Sequence, residues 1–139
     1  MAKGGETFEH TADIGIKAWG DTREELYEAL AEALAELICP RRQVGSRDSR
    51  RLVIDSRDPG ALAVDFLTAM LSVAQAERMC FADVAVQQAT DTHLEATVRG
   101  ERADPSRHDL GAEIKAVTYH MLEVRRDGTR WTGRVLLDL

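Results

Sequence analysis

The last two residues of this 139-residue chain place several oxygen donors on one short tether. Asp138 supplies a side-chain carboxylate and a backbone carbonyl, and Leu139 carries the terminal α-carboxylate. Such donors suit hard cations like calcium or magnesium, which need additional carboxylates for affinity. Asp13, on the polar side of an N-terminal strand pattern, supplies one if the two strands are neighbours. The alternative is a frayed chain end, but the apolar run Val135–Leu137 predicts a strand that anchors it.

Lys115 is a second candidate for chemistry, because it is the one cation between Glu113 and Glu123. Near a bound nucleotide or phosphate it would make an electrostatic contact, whereas a lysine on the polar face of a strand is commonly just solvated. The sequence contains no Ser/His/Asp motif, phosphate-cradling glycine loop or zinc signature.

The four histidines give weaker signals. His10 and His120 share parity with apolar neighbours, which favours hydrogen-bonded core histidines over metal ligands. His93 falls in a strand pattern, on its exposed side. His108 falls in a loop, where functional groups concentrate.

The charge balance argues against strong autonomous binding to RNA. The net charge is −6 and the sequence pI is near 5.2, so the chain as a whole repels phosphate backbones. Only a local basic patch reverses this, and one stretch offers five arginines as a docking surface for RNA or an acidic partner. The alternative is a solvated connecting loop. The arginines are Arg41, Arg42, Arg47, Arg50 and Arg51.

Length and composition predict one globular domain over residues 1–139. The hydrophobic fraction of 44% is enough for one core. Cys39 and Cys80 form no CxxC pair, and both fit small core positions. No apolar run approaches the roughly 20 residues that span a bilayer, and the N-terminus has no hydrophobic signal segment. We therefore expect a cytoplasmic protein without a membrane partner.

The N-terminal part of the chain reads as a strand. From Phe8 to Ala18 the apolar side chains occupy even positions, which predicts one strand with a single buried face. In a regular strand His10 points toward that face, and Asp13 points away from it.

Two helices are predicted next. Thr22 and Glu25 form a capping box, apolar residues then recur at three- and four-residue spacing, and Pro40 ends the helix. Its glutamates, at positions 24, 28, 32 and 36, form a solvated face. Asp58 caps a second helix over about Pro59 to Glu77.

The remaining elements read as strands. A short strand at Leu52–Ile54 separates the helices, and Ala82–Gln87 and Leu94–Arg99 alternate on either side of a turn. An extended stretch from Ile114 to Val124 leads to a hairpin turn at Asp127-Gly128. The order of elements predicts an α+β fold in which two α-helices pack on a largely antiparallel sheet or sheets.

Three blocks of this sequence resemble the signatures of the archease family. The opening block, Phe8 to Leu30, reads FEHTADIGIKAWGDTREELYEAL. The second block, Gly111 to Val124, reads GAEIKAVTYHMLEV, and the closing block is WTGRVLLDL. The blocks stand in the family's order and span nearly the whole chain, and the Arg41–Arg51 stretch belongs to none of them.

The resemblance implies an archease-like fold and a function. Archeases are cytoplasmic accessory factors that activate the RtcB-type tRNA ligase in tRNA splicing and RNA repair, by promoting guanylylation of the ligase and its multiple turnover. They are not themselves enzymes, and they meet RNA indirectly through the ligase. They carry a divalent metal, calcium in the first place, with magnesium or manganese as alternatives. Carried over block by block, Asp13, Asp138 and Leu139 would bind this metal and Lys115 would assist the ligase.

Two other classes of function stay open. A metal-dependent phosphoester hydrolase would use Asp13 and Asp138 with His10 or His108 around an activated water. A chaperone-like interaction domain would hold the metal only incidentally, so replacing either aspartate would leave its function intact. The sequence leaves the oligomeric state open.

Overall fold

The computed structural model describes residues 2–10 and 13–139, and of Glu9 and His10 only the backbone. The elements follow one another along the described chain as β1 Gly4–His10, β2 Asp13–Gly20, α1 Arg23–Ile38, a short 3-10 turn Arg41–Gln43, β3 Asp48–Asp55, α2 Pro59–Glu77, β4 Met79–Ala89, β5 His93–Arg102, β6 Ala116–Asp127 and β7 Arg130–Asp138.

The strands form two antiparallel sheets. The first has the order β1-β2-β7-β6 and the second the order β3-β5-β4. Both helices contact strands of both sheets, so one cluster of buried apolar side chains joins the two sheets through the helices. This arrangement confirms the predicted α+β class, with two helices on antiparallel sheets.

The N-terminal segment is a hairpin, and the prediction of one strand from Phe8 to Ala18 was wrong. β1 and β2 pair with Phe8 opposite Gly15 and His10 opposite Asp13. The Phe8 ring occupies the space where a Gly15 side chain would lie. Cross-strand partners share a face, so Phe8 lies on the outer face and not with the core residues of β2. The alternation of the sequence continues from β1 into β2, and it therefore hides this reversal. The direction of the His10 side chain lies outside the described residues.

Helix α1 begins at the predicted capping residues. Thr22 Oγ1 accepts from the Glu25 N–H at 3.1 Å, and the Glu25 carboxylate accepts from the Asp21 N–H at 2.8 Å. The return bond therefore falls one residue earlier than in a standard capping box. The helix ends at Ile38, before Pro40, as expected.

The glutamate side of α1 is attached to the second sheet, which corrects the prediction of a solvated face. Glu28 Oε2 accepts from the Val86 N–H at 2.8 Å, and Glu24 Oε2 accepts from the Ala89 N–H at 3.1 Å. Both amides belong to β4, which is an edge strand. Unpaired edge amides invite association with other strands, and these carboxylates satisfy them.

Replacing Glu28 with alanine is expected to lower the free energy of unfolding by about 1.5–3 kcal/mol, the usual cost of losing a hydrogen bond to a charged group. The change removes the acceptor of the Val86 N–H and the 2.9 Å ion pair with Lys3. Urea denaturation measures the effect. The matched control is Glu113→Ala at an exposed loop position, and equal losses in the two variants would contradict this role of Glu28.

Helix α2 follows its predicted bounds, with Asp58 Oδ1 accepting from the Ala61 N–H at 2.8 Å. Contrary to the expectation from the sequence, this helix is long and apolar enough to cross a membrane by length and composition. Phe66, Leu67 and Met70 are nevertheless fully buried in the cluster shared by both sheets. A core helix passes the same length and composition test, so the apolar surface of α2 is explained by packing.

The strand that contains Arg50 and Arg51 is longer than predicted. β3 begins at Asp48, which pairs with Gly100 of β5, and Arg50 continues the half-buried even positions of Leu52 and Ile54. The two cysteines are buried, as expected.

β6 departs from regular alternation. It has a bulge between Thr118 and Glu123, in which Met121 takes a positive φ of 56°. The bulge shifts the faces of the residues within it, so His120 is exposed and the prediction of a core histidine was wrong. The hairpin after Asp127 is confirmed, with Gly128 at φ 68° in its loop.

Candidate metal centre

The three segments that contain the candidate residues converge at one end of the four-stranded sheet. β2 and β7 pair antiparallel with Asp13 opposite Asp138. β6 joins the other side of β7, with Ala116 opposite Asp138. The Lys115 N–H donates to the Asp138 carbonyl at 2.8 Å. Residues more than 120 positions apart in the chain are therefore direct neighbours.

The C-terminal strand is anchored by its own apolar side chains. Val135, Leu136 and Leu137 have no exposed surface, and β7 extends to Asp138 between β2 and β6. The alternative of a frayed chain end is therefore wrong as far as Asp138. Leu139 follows the strand and is 39% exposed.

The two aspartates project from the same face of the sheet. Directly opposed residues of an antiparallel pair share a face, with Cβ atoms about 4.5–5.5 Å apart, and like charges in this position destabilise the sheet. Asp13 is half-buried and Asp138 is exposed. A cation between the carboxylates would remove their repulsion, so this end of the sheet is suited to bind one.

The donor set fits a hard cation. The Asp138 carbonyl already accepts from Lys115, which leaves the side-chain carboxylates of Asp13 and Asp138 as donors outside the hydrogen bonds between the strands. In the described parts of the chain, no group of three or more His, Cys, Asp and Glu side chains is arranged to hold a metal. Calcium and magnesium accept main-chain oxygens and water as well as side chains, so the aspartate pair is compatible with the hypothesis of a metal at this end.

Lys115 lies beside this acidic end. Its side chain is exposed, and its backbone is fixed by the bond to Asp138 at the entry to β6. The structure thus places Lys115, Asp13 and Asp138 on three adjacent segments. An exposed ammonium at this position is suited to contact a phosphate group.

His108 belongs to a different region. It is buried, its Nδ1 accepts from the Asp104 N–H at 2.8 Å, and its Nε2 lies 3.0 Å from Glu101 Oε2. Nδ1 accepts from the backbone, and Nε2 is the ring nitrogen that faces Glu101. These bonds close the loop after β5, so the loop histidine has a structural role.

The Glu101 carboxylate is strongly stabilised in its ionised form. Hydrogen bonds from the Gly45 N–H, His108 and Arg107 lower its pKa from 4.5 to about 2. The Gly45 and Arg107 bonds measure 2.7 and 2.5 Å. The carboxylate therefore ties the segment before β3 to the loop after β5.

Acid should weaken the fold through Glu101. Since the folded pKa lies below the unfolded one, the stabilisation is complete above about pH 4.5 and is lost as the pH falls toward 2. Glu101→Gln is expected to be less stable at neutral pH and to lose less stability over that interval. Urea denaturation at several pH values measures this, with Glu113→Gln as the control. An unchanged pH slope in Glu101→Gln would refute the assignment.

The Arg41–Arg51 stretch does not form a concentrated basic patch. Arg41 pairs with Glu32 at 3.1 Å, Arg50 with Glu77 at 2.5 Å, and Arg51 with Glu95. Arg47 lies 3.6 Å from Glu101. These carboxylates pair with most of the stretch. Arg50 and Arg51 lie in β3, which corrects the interpretation of a connecting loop for this part of the stretch.

Comparison with known proteins shows the family of this chain. The model of the Archease protein family matches residues 6–139. The chain belongs to the archease family. The match contains all three segments that meet at the acidic end of the sheet.

Archeases of archaea are similar to this chain over almost their whole length. The Pyrococcus abyssi archease is 35% identical, with 96% of this chain and 97% of that protein covered. The Thermococcus gammatolerans archease is 36% identical over the same shares. The solution structure of Methanobacterium thermoautotrophicum protein 1598 superposes with a TM-score of 0.80 at 34% identity, covering 97% and 98% of the two chains.

A second solved structure supports the archease fold alone. The crystal structure of a Thermotoga maritima archease, described there as a possible chaperone, has a TM-score of 0.69 at 24% identity and covers 96% of both chains.

One feature of this archease is not apparent from its sequence. Basic side chains from β2, β6 and β7 line a cleft on the outer face of the four-stranded sheet. They are scattered over the chain, so only the strand order and register bring them together. In the sequence, this cleft was indicated only by Lys17, which lies on the same face of β2 as Asp13.

Proposed function

We propose that this protein is a cytoplasmic accessory factor of an RtcB-type RNA ligase, which it activates in tRNA splicing and RNA repair. In this role it promotes guanylylation of the ligase and its multiple turnover, and it is not itself an enzyme. The observation that carries the proposal is the pairing of Asp13 with Asp138 beside Lys115 at one exposed end of the sheet.

The chemistry of this end supports a role in phosphoryl transfer. Asp13, Asp138 and the α-carboxylate of Leu139 would hold a divalent cation, calcium in the first place and magnesium or manganese otherwise. Such an ion supplies positive charge where phosphoryl oxygens gain negative charge. Lys115 would contact the triphosphate and orient it. The acidic end would have to enter the ligase's active-site region, since guanylylation takes place there.

A guanylylation assay tests the proposal. Purified RtcB-type ligase is mixed with GTP and manganese, and formation of the covalent ligase–GMP adduct is followed with and without this protein. We expect faster adduct formation and repeated turnover at substoichiometric amounts of the protein. Unchanged rates up to a molar excess would refute the ligase-activating role.

A chaperone-like role is the second candidate, because the Thermotoga maritima archease is described as a possible chaperone. It predicts suppression of aggregation of a denatured client protein that is indifferent to calcium and to changes at Asp13. The hydrolase alternative has less support, since the bonds of His108 go to Glu101 and Asp104 and not to the aspartate pair.

A further inference from the structure

The outer face of the four-stranded sheet contains a cleft of about 290 Å³ between β2, β7 and β6. Its charged lining consists of four basic and two acidic side chains, namely Lys17, Arg125, Arg130, Arg134, Glu6 and Glu123. The chain as a whole carries a net charge of −6. The cleft therefore carries a net positive charge on a protein whose overall charge is negative.

Two arginines of this basic cleft, Arg134 and Arg125, are held by contacts at the bulge of β6 and at Glu123 beside it. Arg134 Nε donates to the Met121 carbonyl at 2.8 Å, and its Nη2 lies 3.4 Å from Glu123. Arg125 Nε lies 2.9 Å from the same carboxylate. One glutamate thus positions two guanidinium groups and balances the charge of only one.

Aromatic rings position the other two cations. Lys17 Nζ lies 5.2 Å from the centre of the Phe8 ring, and the Arg130 guanidinium lies 5.2 Å from that of Trp19. The Phe8 ring attracts the Lys17 ammonium without cancelling its charge. Lys17 is also exposed, so its ammonium can reach an anion in the cleft.

The spacing of the cations favours an extended polyanion over a single phosphate. Neighbouring strands lie about 4.8 Å apart, so cations from β2 to β6 span roughly 10 Å across the sheet. Lys17 also shares a face of β2 with Asp13, roughly 13 Å away along the strand at about 3.3 Å per residue. A strand of nucleic acid in the cleft would contact several cations and lead toward the acidic end.

We propose that this basic cleft binds the phosphodiester backbone of single-stranded RNA directly. The cleft offers charge and few base-reading groups, so binding is tolerant of sequence and sensitive to salt. This goes beyond the expectation that RNA is met only through the ligase. It does not depend on ligase activation, because binding is measured with the isolated protein.

An NMR titration of the full chain with oligouridylate of about 16 nucleotides tests the proposal. At about 50 mM salt we expect shift changes at Lys17, Arg125 and Thr132, and the affinity should fall steeply toward 200 mM. The double variant Lys17→Glu/Arg125→Glu should weaken binding more than about tenfold. It should also lower the log–log salt slope by about 1.4, since each single-strand contact contributes about 0.7.

The control is Arg42→Glu/Arg47→Glu, which makes the same change in net charge at exposed positions of the arginine-rich stretch. It should bind RNA nearly as well as the unmodified protein. The proposal is overturned if the unmodified protein shows no shift changes, or if the control loses as much affinity as the cleft variant. Equal binding of polyglutamate would indicate a surface for an acidic protein, and the same shifts with inorganic phosphate would indicate a small-anion pocket; either result also overturns it.

Discussion

Replacing Asp13 or Asp138 with asparagine is expected to weaken calcium binding by at least about 100-fold, because loss of even an outer-layer partner of a metal ligand costs 10–100-fold. Asparagine keeps the size and one oxygen of the side chain and removes the charge. The affinity of oxygen sites for calcium depends on the number of charged ligands. Each variant leaves one aspartate and the chain end, which is too little charge to retain the ion.

The same variants should keep the fold. The two carboxylates face each other across β2 and β7, and removing one relieves a like-charge pair. Without calcium, we therefore expect the midpoint of urea denaturation to be unchanged or slightly higher. Calcium should stabilise the unmodified protein and have little effect on either variant, since a ligand that binds only the folded state raises its stability.

Isothermal titration calorimetry with calcium measures this loss of affinity. Asp127→Asn is the matched control, because Asp127 is exposed and lies at the other end of β6 in the same sheet. It should bind calcium as the unmodified protein does. Undiminished calcium affinity in either the Asp13→Asn or the Asp138→Asn variant would show that the aspartate pair is not the metal site.

Replacing Lys115 with alanine is expected to reduce the stimulation of ligase guanylylation by about 100-fold, the usual cost of removing one positioned electrostatic group. Calcium affinity should be preserved, because the backbone N–H of Lys115 and not its side chain bonds to Asp138. The variant therefore separates the binding of the metal from the stimulation of ligase guanylylation.

Lys115→Arg is the conservative control for this prediction. It keeps the positive charge but has a different shape, so partial stimulation is expected. The role assigned to Lys115 would be contradicted if the alanine variant stimulated the ligase normally. Parallel loss of calcium binding would instead show that the residue acts by holding the acidic end together.

Local signals predicted the helices well. Thr22 and Asp58 were recognised as caps, since a hydroxyl or carboxylate before an apolar repeat satisfies free amides of the first turn, and both accept such bonds. The glutamate face of α1 was misinterpreted, because helical periodicity shows which side chains are polar but not that a sheet edge lies opposite them.

The acidic end was predictable only as a hypothesis. From the strand patterns at the two ends of the sequence, Asp13 was predicted to lie on the polar side of its strand and Asp138 to offer oxygen donors. The structure adds the register that pairs the two residues. Other expectations were wrong because the alternation of apolar and polar residues does not reveal where a strand ends or bulges. The antiparallel pairing of β1 with β2 put Phe8 on the outer face, and the bulge of β6 exposed His120. The metal, its ligands and the partner ligase stay predictions.

A crystal structure of the protein grown with saturating calcium tests the central claim most directly. The account predicts one ion at about 2.3–2.6 Å from carboxylate oxygens of both Asp13 and Asp138, with the α-carboxylate of Leu139 completing the set. An acidic end that stays empty, or an ion held by only one of the two aspartates, would contradict it.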